Sequence, residues 1–375
     1  MAKKAYIGVG GVARKIKKGY VGVGGVARKI KKAYIGVGGV ARPCWSGGEL
    51  VAFGTTTSLS STRYRMAATS VGNYALFGGG QSTGQSSSRT SVVDTYDTSL
   101  THAARTSLSS ARFSLAATSV GNYALFGGGK VSSSQSAVDA FDTALTRSAP
   151  TALSAARSNM GATHVGGYAL FAGGDSTSTN KVVDAYNTAL TRSTPTAFSQ
   201  GRQLMGAACV GSYALFAGGG SGSNRYSDVD AYDTSLTHST PTALSVKKYC
   251  HAGTTVGNYA LFGGGETSSA NTNNVDAYDT SLTRTTITAL SVARTYIAAT
   301  SIGDYALFGG GGDRNGGNPF STVDVYDKSL TRTTFASLSV ARSDLEAATV
   351  GQYSLFAGGQ LADGFASVVD VYTVS

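Results

Sequence analysis

Seven copies of one short phrase govern what this chain can fold into. YALFGGG or a close variant begins at Tyr74, Tyr123, Tyr168, Tyr213, Tyr259, Tyr305 and Tyr353, with separations of 49, 45, 45, 46, 46 and 48 residues. A near-constant period in this range marks a repeat architecture, in which each copy buries its faces only against its neighbours. Two further phrases keep phase with the first. LSxAR or a variant ends at Arg63, Arg112, Arg157, Arg202, Lys248, Arg294 and Arg342. VDxYDTSLTR places an acid at Asp94, Asp139, Asp184, Asp230, Asp276, Asp324 and Asp370.

Each copy supplies four strands. In the second, SLAATSV and YALFG flank the dipeptide Gly121-Asn122, a hairpin signal. VDAFD and the stretch after DTAL form the other pair, with Asp142 placed to open a β-turn. Tyr123 and Leu125 alternate with Ala124 and Phe126, so both faces of YALFG are apolar. Such a strand lies between two other sheets. Four-stranded antiparallel sheets stacked around an axis meet that demand, which predicts an all-β, seven-bladed β-propeller. Ring closure also removes the end faces of an open stack. The last copy stops at SVVDVYTVS, after its third strand, whereas VAFGTTTSLSSTR aligns with THAARTSLSSAR at residues 101–112. Residues near 51–58 are therefore expected to pair antiparallel with residues near 368–374 and complete the seventh blade.

Composition agrees. Fifty glycines against five prolines suit many short strands and turns. Apolar runs are only a few residues long, so no membrane-spanning helix is expected. The lysine-bearing front has no apolar stretch of the kind a signal peptide carries. Cys44, Cys209 and Cys250 form neither a disulfide framework nor a ligand-spaced pair, which fits synthesis in a reducing compartment.

A glycine doublet after an apolar strand, followed by Tyr in a VDxYD strand, resembles the Kelch repeat over roughly residues 49–375. The resemblance implies a propeller with an interblade Trp six residues after that Tyr. Here the slot holds His102, Arg147, Arg192, His238, Arg284 and Arg332, while Phe53 aligns with it in the closing strand. An amphipathic side chain with a packed stem and a solvated head is expected instead.

Antiparallel order sorts the connections. The VGN and DTSL turns share one face and barely vary. The LSxAR bends and the segments after the glycine doublets share the other, and those segments differ in every copy, as in QSTGQSSSRTS and GDRNGGNPFST. Variable loops on a repeated scaffold are where binding concentrates, although unselected solvated loops would look the same. Arg225, Tyr226, Arg314, Asn318, Phe320 and Phe365 are the candidate target-binding side chains. The seven basic residues Arg63 through Arg342 invite an anion funnel, but seven acids on the same face favour structural interblade ion pairs. Glu346 is an acid in an otherwise Ala or Gly slot and is expected to face the channel.

Nothing suggests catalysis. His102 and His238 occupy an Arg slot, His164 replaces a Ser and His251 takes an apolar position, so the Tyr/His cluster of Kelch-like copper oxidases is missing. Sialidase-type Asp boxes are absent, and no Ser/His/Asp set departs from the repeat. The chain reads as a non-enzyme without cofactor or metal.

Residues 1–44 are a separate unit from the propeller at 45–375. Residues 1–43 hold eight lysines, three arginines and no acid, and the remainder carries 20 basic and 21 acidic side chains. AYIGVGGVARKIKK recurs with period 14, bringing Tyr6, Tyr20 and Tyr34, and Arg14, Arg28 and Arg42, into phase. The GG dipeptides read as hairpin turns. With so much charge and so little apolar surface, the segment is expected to order against a partner. Its strict alternation favours a protein assembly surface over nucleic acid, which basic residues interleaved with Tyr also suit. The segment resembles glycine- and lysine-rich repeats at the front of bacteriophage and prophage tail proteins. That resemblance implies an oligomeric tail or baseplate component in the virion, made in the bacterial cytoplasm, whose propeller contacts a host-surface protein or polysaccharide. A cytoplasmic Kelch interaction module with a nucleic-acid-binding tail is the alternative.

Overall fold

YALFG is the second strand of every blade, between a small-residue inner strand and the VDxYD strand, and this placement follows from its two apolar faces. The computed structural model describes residues 48–175, 180–314 and 318–374, together with the backbone of the strands between Tyr6 and Ser46. Seven four-stranded antiparallel sheets form the ring, each ordered from the axis outward as in Ala67–Val71, Tyr74–Gly78, Val93–Asp97 and His102–Arg105 of blade 1. The protein is a seven-bladed β-propeller.

The ring closes where the repeat phase placed the join. Leu50–Thr56 pairs antiparallel with Val369–Val374 and becomes the outer strand of blade 7, whose inner strands are Glu346–Val350 and Tyr353–Ala357. Phe53, however, does not take the outer-strand slot. Tyr372 pairs with Ala52 and Val371 with Gly54, so a bulge expels Phe53 from the register. Its ring is 52% exposed and rests edge-on against Tyr353, with centroids 5.4 Å apart.

The core is divided into wedges between blades. Leu76 and Val93 of blade 1 pack with Phe126 and Phe141 of blade 2, and Leu307 and Val323 of blade 6 pack with Phe356 and Tyr372 of blade 7. The closing wedge joins Leu355 and Val369 of blade 7 to Phe77 and Tyr96 of blade 1. Fully burying each such ring contributes about 1.5–3 kcal/mol. In the described residues the tyrosine of VDxY also caps the link from the preceding blade: the Tyr232 hydroxyl donates to the Thr196 carbonyl at 2.7 Å and that of Tyr326 to Thr288 at 2.7 Å. Phe141 in blade 2 lacks this hydroxyl.

The glycine doublets are required by geometry. Gly128 and Gly129 have φ of 62° and 95°, and a Cβ on Gly128 would lie 2.4 Å from the Arg157 carbonyl oxygen. L-residues other than Gly avoid that combination.

Ahead of the propeller the 14-residue repeat forms three two-stranded hairpins, Tyr6–Val9 with Val12–Lys15, Tyr20–Val23 with Val26–Lys29, and Lys32–Val37 with Val40–Ser46. Val9 pairs with Val12, the register a two-residue hairpin loop requires. The side chains of Tyr6, Tyr20, Tyr34, Arg14, Arg28 and Arg42, proposed for assembly, lie outside the described residues.

Candidate binding face

The link between blades enters each inner strand through one residue in the left-handed region. Arg65, Ser114, Asn159, Leu204, Cys250, Tyr296 and Asp344 all have φ between 49° and 55°. Non-glycine residues there cost about 1–2 kcal/mol each. A closed circle of main-chain hydrogen bonds holds them. Each amide donates to the carbonyl of its counterpart in the preceding blade, from Ser114 to Arg65 at 2.9 Å around to Asp344 to Tyr296 at 3.1 Å and Arg65 to Asp344 at 3.4 Å. This circle rims an axial cavity of about 360 Å³ on the loop face, lined by Phe113, Lys130, Tyr296, Asp344 and Glu346 among others. Beneath it a narrower space of about 240 Å³ runs between Ala68, Ala117, Ala162, Ala207, Gly253 and Ala299.

Glu346 faces both spaces. Burial, reinforced by the neighbouring Asp344 carboxylate, pushes its pKa up to about 8. Burial also raises Asp344, which Arg65 Nε at 3.7 Å partly offsets. The mouth therefore presents an acid that holds its proton more tightly than an ordinary glutamate, beside the Arg65–Asp344 contact. His251 beneath it is buried, which holds its pKa well below the ordinary value, and its Nε2 accepts the Gly206 amide at 3.2 Å. A Cβ on Gly206 would lie 2.7 Å from that nitrogen.

The basic and acidic sets meet in pairs. Arg112 reaches Asp139 at 2.7 Å, Arg202 Asp230 at 2.6 Å, Arg294 Asp324 at 3.0 Å and Arg342 Asp370 at 2.6 Å. Arg63 pairs with Asp94 and Arg157 with Asp184, and Lys248 stands 4.0 Å from Asp276. The seven basic side chains are buried, so they do not form an anion-attracting surface. The pairs lie within blades and not between them as expected: each side chain enters its own blade, where the Arg294 guanidinium also donates to the Phe308 carbonyl at 3.0 Å. The main chain of the same residue is tied to the blade before, since the amide of Gly265 donates to the Arg294 carbonyl at 2.8 Å and that of Gly359 to the Arg63 carbonyl at 2.9 Å. The stitch between blades thus combines a buried ion pair on one side with a peptide hydrogen bond on the other.

Six of these acids hold a second basic side chain. His102, Arg147, Arg192, His238, Arg284 and Arg332 reach Asp94, Asp139, Asp184, Asp230, Asp276 and Asp324 at 2.6, 2.8, 3.5, 2.6, 3.0 and 2.9 Å. Their heads were expected in solvent. They turn inward instead, because a buried carboxylate has lone pairs left to satisfy. Among the described residues Asp370 has no such partner, since the aligned residue is the apolar Phe53.

The loop candidates are more engaged than their variability suggests. Arg225 stacks on the Tyr249 ring, 3.6 Å from its centroid, and approaches Glu266 at 3.6 Å. Arg314 Nε donates to the same Glu266 at 2.9 Å and its Nη2 to the Ser268 carbonyl at 2.9 Å, yet it remains 43% exposed. Glu266, only 2% exposed, therefore joins loops of blades 4, 5 and 6. Phe365 stacks on Tyr64 at 4.5 Å across blades 7 and 1. Asn318 donates to Asp313 at 2.6 Å, Gln200 reaches the Tyr226 hydroxyl at 3.4 Å, and Phe320 is half-buried, its amide bonded to Gly311. Sequence reasoning passed over Glu266, Tyr64 and Tyr249. Their signal was position: Glu266 directly follows a glycine doublet, and the tyrosines directly follow Arg63 and Lys248.

Among the described residues no three His, Cys, Asp or Glu side chains converge as metal ligands. No helix there is long and apolar enough to cross a membrane. No protein-family model matches the chain, and no curated protein matches it.

Proposed function

We propose that this is a non-enzymatic binding protein that meets its target with the loop face of the propeller and is docked from behind by residues 1–44. The observation that carries the reading is the contrast between the two faces of one ring. Near-identical turns end every blade on one side, while loops of differing length and sequence surround the axial cavity on the other. A scaffold repeated this closely offers little asymmetry except in those loops. The chain also reaches the propeller on the uniform side: the Gly48 carbonyl accepts the Tyr305 hydroxyl at 3.1 Å, and Leu50 pairs with Val374.

The Kelch-like phrases and the likeness of residues 1–44 to phage tail repeats make the concrete form of this proposal a bacteriophage or prophage tail or baseplate component. Its propeller binds a host-surface protein or polysaccharide, and its basic segment joins neighbouring tail proteins. The test separates the two ends. Removing residues 1–44 is expected to leave target binding intact and abolish incorporation into particles. Replacing the loops around Arg225, Arg314 and Phe365 is expected to do the reverse. Truncated protein that still enters particles normally would overturn the docking role. The net positive charge of residues 1–43 favours one second reading, a nucleic-acid-binding tail. That reading requires affinity for duplex DNA that falls steeply with salt and is lost with the segment.

A further inference from the structure

Equivalent residues of adjacent inner strands are spatial neighbours in this ring. One such set, near the uniform face, reads Ser70, Ser119, His164, Cys209, Thr255, Ser301 and Thr349. Three of the hydroxyls bond to the preceding blade's main chain: Ser70 Oγ donates to the Thr349 carbonyl at 2.6 Å, Thr349 Oγ1 to the Ser301 carbonyl at 2.8 Å and Thr255 Oγ1 to the Cys209 carbonyl at 2.5 Å. The two residues that depart from the hydroxyl pattern sit side by side, in blades 3 and 4. His164 Nε2 lies 3.8 Å from Cys209 Sγ, and Thr255 Oγ1 approaches the same sulfur from blade 5 at 3.9 Å. His164 is open to solvent and Cys209 half-buried.

We propose that Cys209 and His164 form an activated-thiol site that takes small, soft electrophiles from the uniform face of the propeller. A thiol within reach of an imidazole is the arrangement that yields a nucleophilic thiolate. The electrostatics agree. Burial alone pushes the Cys209 thiol up, but hydrogen bonding and charge from His164, with Thr255, outweigh it and leave the thiol below its ordinary value. The hydrogen bond to Cys209 is the largest influence on His164 and raises it. On the strands packed against Gly206–Val210, namely Gly161–Val165, Tyr213–Ala217, Ala252–Val256 and Tyr259–Gly263, the other titratable side chains are the phenols of Tyr213 and Tyr259. Cys250 is the opposite case, a buried thiol that burial pushes up.

Iodoacetamide tests the site on the full chain. The Cys209 thiolate attacks the iodine-bearing carbon, the S–C bond forms, the C–I bond breaks and iodide leaves. The thiol proton stays on His164 and is then lost to water. Peptide mapping by mass spectrometry separates adducts at Cys44, Cys209 and Cys250. The Cys209 rate is expected to rise with a midpoint below the ordinary thiol value of about 8.5, with native Cys250 unreactive. His164→Ser, which installs the residue found at the equivalent place in blades 1, 2 and 6, should keep the fold, raise the midpoint and slow alkylation at pH 7 about three- to tenfold. Cys209→Ser should remove the adduct from that peptide. An unchanged midpoint and rate in a folded His164→Ser protein, or Cys209 reacting no faster than Cys250, would overturn the assignment.

Discussion

Arg294 and Asp324 meet at 3.0 Å with both side chains wholly withdrawn from solvent. The carboxylate is saturated: it also accepts the Ser291 hydroxyl at 3.0 Å and Arg332 at 2.9 Å. Breaking such a pair from one side strands a buried charge, which costs about 3–5 kcal/mol. Asp324→Asn should lower stability by that order, whereas Arg332→Ala, which removes only the partly exposed partner, should cost about 1 kcal/mol. Denaturant titration of the two variants distinguishes them, and equal losses would mean that the buried guanidinium is not the dominant tie.

Lys248 is the one lysine in the basic set, and it is matched to Asn274, whose carbonyl and side-chain oxygens accept its ammonium at 3.0 and 3.1 Å. Burial, opposed by Asp276, lowers its pKa to about 8 from an ordinary 10.5. Between those values the unfolded chain holds the proton and the native one releases it, so raising pH favours the native state. Lys248→Arg keeps its charge throughout this range. The stability of the natural protein relative to this variant should therefore rise between pH 8 and 10.5, by on the order of 1–3 kcal/mol, in parallel thermal or denaturant melts.

Glu346 works in the other direction. Its native pKa of about 8 lies above an ordinary 4.5, so the folded state holds a proton that the unfolded state has lost. The stability it allows is complete below pH 4.5 and is lost as pH rises through 8. Glu346→Ala restores the alanine found at Ala67, Ala116, Ala252 and Ala298. It should be nearly neutral at pH 4.5 and stabilising at pH 8 by on the order of 1–3 kcal/mol. A gain independent of pH would show that packing, not charge, separates the two residues.

Deleting residues 45–58 removes the outer strand of blade 7 and exposes the hydrogen-bonding edge of Val369–Val374. An open edge of this kind pairs with other chains. The deleted protein should unfold or oligomerise, as read by size-exclusion chromatography with circular dichroism. A folded monomer would show that the ring does not depend on this closure.

The repeat itself determined the fold. Seven in-phase phrases carry the strand order, the two-faced burial of YALFG and the borrowed strand near residue 51, because each depends on local pattern and on a neighbour that is another copy of the same pattern. The partnership of Arg63 through Arg342 with Asp94 through Asp370 was legible for the same reason: it recurs. Other features required the tertiary structure. The second basic partner on six of the acids comes from a residue eight positions later, which only hairpin register brings across. Phe53 left its aligned slot through a single bulge that no repeat phase encodes. The left-handed circle from Arg65 to Asp344 arises from ring closure, since each of its hydrogen bonds needs the next blade in place. Arg225 and Arg314, read from sequence as free to grip a ligand, converge on Glu266, and His164 meets Cys209 one period away. Periodic sequence specifies contacts that every blade makes, whereas contacts made once depend on where three-dimensional packing delivers particular side chains.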